Sequence, residues 1–124
     1  MDIFKKVKDK VSQADLEKKM NEATTNERGF ASVSLLNEIS SRSDEPENCK
    51  MMVKFCAKLL TLKPKMWKRI LKDLNLIEHI CKTGSQNFVD GMKEERDKIR
   101  DLYNFTYEED GKDKGETSKN LFIF

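Results

Sequence analysis

The chain has 124 residues, 37% hydrophobic and 37% charged, with 24 Lys or Arg against 22 Asp or Glu, which suits one domain and leaves no room for a second. Its longest apolar runs, such as Leu59 with Leu60 and Leu76 with Ile77, fall far short of the roughly 20 residues that span a bilayer, and no apolar secretory segment opens the sequence, so a cytosolic protein is expected. Cys49, Cys56 and Cys81 form no CxxC pair and His79 is the single histidine, which argues against a disulfide scaffold or a structural zinc site.

Five Gly and two Pro among many Lys, Glu, Leu and Met favour an all-α chain, because straight side chains lose little rotamer freedom in a helix. The first predicted helix runs from Asp2 to about Ser12. Its Ile3, Phe4, Val7 and Val11 fall within an arc of roughly 100°, and the remaining face is mostly lysine. Asp15 to Thr24 reads as a second helix turning Leu16, Met20 and Ala23 inward, with Thr24 to Phe30 as its loop exit.

Ser32 or Ser34 caps a third helix carrying Leu35, Leu36 and Ile39, which ends in the polar stretch before Glu45 and Pro46. Pro46 to Thr61 is a fourth, with Met51, Met52, Phe55, Cys56, Leu59 and Leu60 at buried-face spacing. The next begins at Lys63 and Pro64, carries Trp67, Ile70, Leu71, Leu74, Ile77, Ile80 and Cys81, and closes at Gly84. Ser85 restarts a helix through Phe88, Val89, Met92, Ile99 and Leu102, and after Tyr103 to Tyr107 the stretch Glu108 to Gly115 is a turn-rich loop before the tail Glu116 to Phe124. Six or seven such helices with short connections and no heptad suit an α-solenoid of unlike helices, with a compact bundle as the second choice.

Residues 50 to 82 hold nine Lys or Arg against Asp73 and Glu78, while residues 20 to 49 hold six Asp or Glu against Arg28 and Arg42; this asymmetry points to an anionic partner. No glycine pattern for nucleotide phosphates occurs, a lone His79 assembles no triad, and Asp110, Asp113 and Glu116 lack the spacing of a calcium loop. Catalysis, a cofactor and a metal are therefore not expected. Trp67 reads as a core anchor and the methionines as packing. Two features stay open to a functional reading. The N-terminal lysine-backed stripe is either a helix lying in a headgroup layer or a first core helix. Lys65, Lys68, Arg69 and Lys72 gather cations at the start of the strongest helix, which serve an anion or simply solvate the face.

At these residues the sequence resembles the epsin N-terminal homology (ENTH) domain family. Met66 to Phe88 (MWKRILKDLNLIEHICKTGSQNF) is similar to the family's tryptophan, basic pair, apolar helix and Lys-Thr-Gly-Ser junction. Asn21 to Asn26 (NEATTN), Ser34 to Ile39 (SLLNEI) and Tyr103 to Gly115, with Phe105 and the run from Asp110, match as well. The resemblance spans nearly the whole chain in unbroken order.

It implies a right-handed α-solenoid of about seven to eight helices, preceded by residues 1–12 as an amphipathic helix that orders on lipid, with residues 13–124 as the solenoid, cut short at its last helix. It further implies a phosphoinositide-binding peripheral membrane module of a clathrin-associated trafficking adaptor and no enzyme. Ile3, Phe4, Val7 and Val11 match the insertion role; Lys6 and Lys8 match basic positions of the same segment, with Lys5 and Lys10 as helpers in headgroup binding. Lys65, Lys68, Arg69 and Lys72 match the pocket cations and Asn26 the loop asparagine. The implied partners are a phosphoinositide headgroup and an anionic membrane surface, with SNARE or coat proteins beyond them, no nucleic acid and a monomer in solution. The implied place is the cytosolic face of the plasma membrane, endosome or trans-Golgi and clathrin-coated vesicles. Asn21 and Leu59 stand where the family has arginines, with Lys58 the nearest substitute, Arg69 stands where many members have histidine, and Asn26 to Ala31 replaces an Asp-Pro-Trp-Gly-Pro loop. The second function these departures permit is a helical protein-binding module in trafficking, for an acidic peptide or a SNARE, without lipid specificity.

Overall fold

The computed structural model describes residues 3–27, 29–102, 108–109 and 112–113. The expectations for Tyr103 to Tyr107 and the tail from Glu116 lie outside the described residues, as do the side chains of Phe4, Lys5, Lys6 and Lys8. Six α-helices are described: α1 (Ile3–Ala23), α2 (Val33–Ser41), α3 (Pro46–Leu59), α4 (Trp67–Thr83), α5 (Gln86–Glu94) and α6 (Arg96–Asp101). Glu108–Glu109 pairs antiparallel with Lys112–Asp113 in a two-residue ladder. Packing runs between near neighbours, α1 on α2, α3 and α4, α2 on α4, and α3 on α4 and α5, so the chain winds forward as a solenoid-like all-α stack.

The helix ends follow their local chemistry. Ser32 caps α2, its hydroxyl accepting from the Leu35 amide at 3.2 Å. Pro46 starts α3 in its first turn, where a missing N–H costs no hydrogen bond. The core gathers Leu16 and Met20 of α1, Leu36 and Ile39 of α2, Met52 and Cys56 of α3, Ile70, Leu74, Leu76, Ile77 and Ile80 of α4, and Phe88 and Met92 of α5. His79 serves packing, with Nε2 2.7 Å from Asn37 Oδ1 on α2.

Two helix boundaries differ from expectation. The two N-terminal helices are one, α1, unbroken from Ile3 to Ala23. Ser12 and Asp15 look like a stop and a cap, but no Gly or Pro stands between them, and Arg42 supplies their partners from outside the helix. Its guanidinium donates to Ser12 O (3.0 Å), Ser12 Oγ (2.5 Å) and Asp15 Oδ2 (3.0 Å). Conversely, the single helix expected from Ser85 to Leu102 turns at Glu95, whose amide bonds back to Met92 O at 3.0 Å before α6 begins. Phe88, Met92, Ile99 and Leu102 keep within an arc of roughly 80° across that turn, so periodicity carries no sign of it.

The junction Thr83-Gly84-Ser85 locks α4 and α5 onto the end of α2. Ser40 Oγ lies 2.7 Å from Thr83 Oγ1, Ser43 Oγ accepts from the Ser85 amide at 2.8 Å, and Ser85 Oγ donates to Ser43 O at 2.9 Å. A Cβ on Gly84 would stand 2.7 Å from both Ile80 O and Ser43 Oγ, and the first of these is backbone that must shift. Gly84→Ala is expected to destabilise the fold by about 1–3 kcal/mol, read as a lower denaturant midpoint at unchanged slope.

Candidate functional site

Pro64–Met66 forms a 3-10 turn before α4, and the turn and first helical turns carry the cation row. Lys65 is exposed. Lys68 is half-buried, with its ammonium 5.7 Å from the centroid of the Trp67 ring, a cation–π distance. Arg69 and Lys72 point the other way, to the end of α1. Arg69 Nε donates to Thr24 O at 2.8 Å, and Nη2 reaches Asn21 Oδ1 at 3.4 Å. Lys72 Nζ donates to Thr25 Oγ1 at 3.1 Å and to Glu27 O at 2.5 Å.

Lys72 is only 7% exposed. Burial pushes its ammonium below the usual lysine range, opposed by the Glu27 carboxylate and reinforced by Lys68. Two of its three protons already hold the α1–α2 loop. Asn26 sits exposed between the two loop residues that Lys72 grips. The structure thus brings Asn26, Arg69 and Lys72 together at one end of α1, with Lys65 and Lys68 in the turns of chain that carry Arg69.

Lys10 is not part of that group. It is exposed, and at 1.5 Å rise per residue it lies about 16 Å along the axis from Asn21, with Lys8 and Lys6 further still. Along the same arm Ile3, Val7 and Val11 are 75%, 55% and 64% exposed. Among the described side chains of α1, the first that enters the core is Leu16. Ile3, Val7 and Val11 are therefore free of the core. Among the described residues no helix is long and apolar enough to cross a membrane.

Beside the row lies a cavity of about 330 Å³ between α1, α3 and α4, lined by Glu17, Asn21, Met51, Lys54, Phe55, Lys58, Leu59, Leu62 and Arg69. Lys54 and Lys58 stand one turn apart on α3 and are exposed. Lys58 is the substitute that the resemblance offers for the arginine replaced by Leu59, and Lys54, at i, i+4 spacing from it, adds a cation that the spacing alone signals. Thr24, Thr25 and Glu27 were missed, since two of their three acceptors are backbone oxygens that any residue offers. Behind the row, Asp73 is fully buried, and neither carboxylate oxygen has a hydrogen-bond partner among the described residues. Burial drives its carboxyl well above the usual range, against the pull of Cys56 and Arg69.

Chemically the arrangement offers an anion several cations and the Asn21 amide at or near the rim of an open cavity, with an apolar stripe on a separate arm. Comparisons with known proteins show the family. The family model for the ENTH domain matches residues 13–121. Epsin-2 of Rattus norvegicus is 32% identical over 115 residues, which cover 89% of this chain and 20% of that protein; the chain spans about a fifth of the length of the curated relatives it matches first. Among solved structures, the ENTH domain from epsin-2 in complex with phosphatidylinositol 4,5-bisphosphate superposes with a TM-score of 0.80 at 25% identity, covering 84% of this chain and 74% of that one. The helical ANTH and ENTH tubules on PI(4,5)P2-containing membranes match with a TM-score of 0.68 at 26% identity, over 91% of this chain and 79% of that one.

Proposed function

The chain belongs to the ENTH domain family, and from that premise we propose that it is the phosphoinositide-binding, peripheral membrane module of an epsin-like adaptor in clathrin-associated vesicle traffic. It works on the cytosolic face of the plasma membrane, endosome or trans-Golgi, with SNARE or coat proteins as further partners, and is a monomer in solution. The observation that carries this reading is the row Lys65, Lys68 and Arg69 beside the cavity that Asn21, Lys54 and Lys58 help to line. Supporting it are the relative solved with phosphatidylinositol 4,5-bisphosphate and the relative assembled on PI(4,5)P2-containing membranes.

In this mechanism the cations draw the domain to an anionic leaflet, each lysine near the surface contributing about 1 kcal/mol. Lys65, Lys68, Arg69 and Asn26 then contact the headgroup, with Lys72 behind them, while Ile3, Phe4, Val7 and Val11 enter the leaflet and Lys6, Lys8 and Lys10 stay in the headgroup layer. No core contact of Ile3, Val7 or Val11 has to break for them to insert, because these side chains are already exposed.

Cosedimentation with phosphatidylcholine vesicles, alone and with each phosphoinositide in turn, tests the reading. Pelleting that requires a phosphoinositide is the expected result; no pelleting with any of them would sink the lipid reading and leave the protein-binding module. Val7→Asp is expected to weaken vesicle binding at least about tenfold, since burying a valine contributes on the order of 1.5 kcal/mol and the new carboxylate is repelled. Its thermal midpoint should not move. A fall in that midpoint would instead make the stripe part of the core.

A further inference from the structure

Where the α1–α2 loop enters α2 stands a second exposed apolar pair, Phe30 of the loop at 60% and Val33, the first residue of α2, at 65% exposure. We propose that Phe30 and Val33 enter the lipid leaflet beside the headgroup site, as an anchor separate from the stripe on α1; this rests on the membrane reading above.

The pair is presented by a pinned chain. On one side Arg69 holds Thr24 O, and Lys72 holds Thr25 and Glu27. On the other, Ala31 packs against the core and Ser32 caps α2. Between them Gly29 adopts φ +86, a left-handed turn that other residues rarely take. The chain therefore reverses with Phe30 outward while Ala31, one residue on, stays in.

Two observations point to an anionic membrane as the occupant. The loop is bonded directly to the α4 cation row, so its apolar tip is continuous with the proposed headgroup surface. Exposed Lys65 lies in the turn just before α4 and complements anionic lipid. Val7 and Ala23 lie about 24 Å apart along α1, so the stripe and the loop grip the membrane at two separated points and fix the domain's orientation on it.

Phe30→Trp, mixed with vesicles of brominated phosphatidylcholine containing phosphatidylinositol 4,5-bisphosphate, reads the depth of the loop, with the wild-type protein and its single Trp67 as the baseline. Quenching well beyond that baseline is expected, and Phe30→Ser should lower vesicle affinity about tenfold. If the wild type pellets with the vesicles while Phe30→Trp shows only baseline quenching and Phe30→Ser binds as wild type, the loop anchor is wrong and the patch serves a protein partner, the membrane reading surviving. If the wild type itself fails to pellet, the membrane reading fails and the anchor with it.

Discussion

Lys65→Glu combined with Lys68→Glu is expected to abolish phosphoinositide-dependent vesicle binding while the domain stays folded. Each reversal removes an attraction of about 1 kcal/mol and adds a repulsion of similar size, so the pair accounts for about 4 kcal/mol, close to a thousandfold at low salt. Lys65 makes no hydrogen bond or ion pair with a described residue, and Lys68 makes only its approach to Trp67. Reversing them therefore disturbs little in the fold. Raising the salt should narrow the gap between variant and wild type, because exposed charges are screened within about 8–10 Å under physiological conditions.

Lys72→Met is the contrasting variant. It frees Glu27 O and Thr25 Oγ1 from their donor, so its signature is faster amide exchange across residues 24–27, which the double reversal at Lys65 and Lys68 should leave alone. Binding by Lys72→Met as weak as that of the double reversal, with loop exchange unchanged, would make Lys72 a direct headgroup ligand and remove its role in the loop.

Much of the fold was legible because buried faces repeat. Leu16 with Met20, Met52 with Cys56, and Ile70 with Leu74 and Ile77 follow from spacing alone. What escaped depends on contacts distant in sequence. Arg42 carries α1 through Ser12 and Asp15 from thirty and twenty-seven residues away, and the turn at Glu95 keeps the apolar phase. The cation row was legible as a cluster, yet its division of labour was not. Lys65 and Lys72 share one spacing pattern, and only the packing of the α1–α2 loop buries one and exposes the other. Asp73 could have been found. It lies three residues after Ile70 and four before Ile77, squarely on the buried face of α4, where the sequence reading counted it only as an acidic residue.

That placement makes Asp73 the source of the largest stability effect. A buried polar group without a good hydrogen bond costs about 1–3 kcal/mol, more when charged, and Asp73 has no exposure and, among the described residues, no hydrogen bond of ordinary geometry, only the weakly donating thiol of Cys56 and the charge of Arg69 favouring its carboxylate. Asp73→Ala is therefore expected to raise stability at neutral pH by at least about 1–3 kcal/mol, against the usual destabilising sign for a core substitution. The pH dependence supplies an independent check. Burial raises the folded-state carboxyl well above 3.8, its ordinary value, so between the two values the native state binds more protons than the unfolded chain. Stability from this group is fully present below the ordinary value and is lost as pH rises from there toward the folded value, with a slope of at most about 1.4 kcal/mol per pH unit. Asp73→Asn keeps the shape and removes the titration. Denaturant melts of wild type and Asp73→Asn at pH 4 and pH 7 should converge at the lower pH and separate at the higher, with the variant the more stable. Parallel curves would mean that the Asp73 carboxylate is stabilised where it lies, and the penalty assigned to its burial would be wrong.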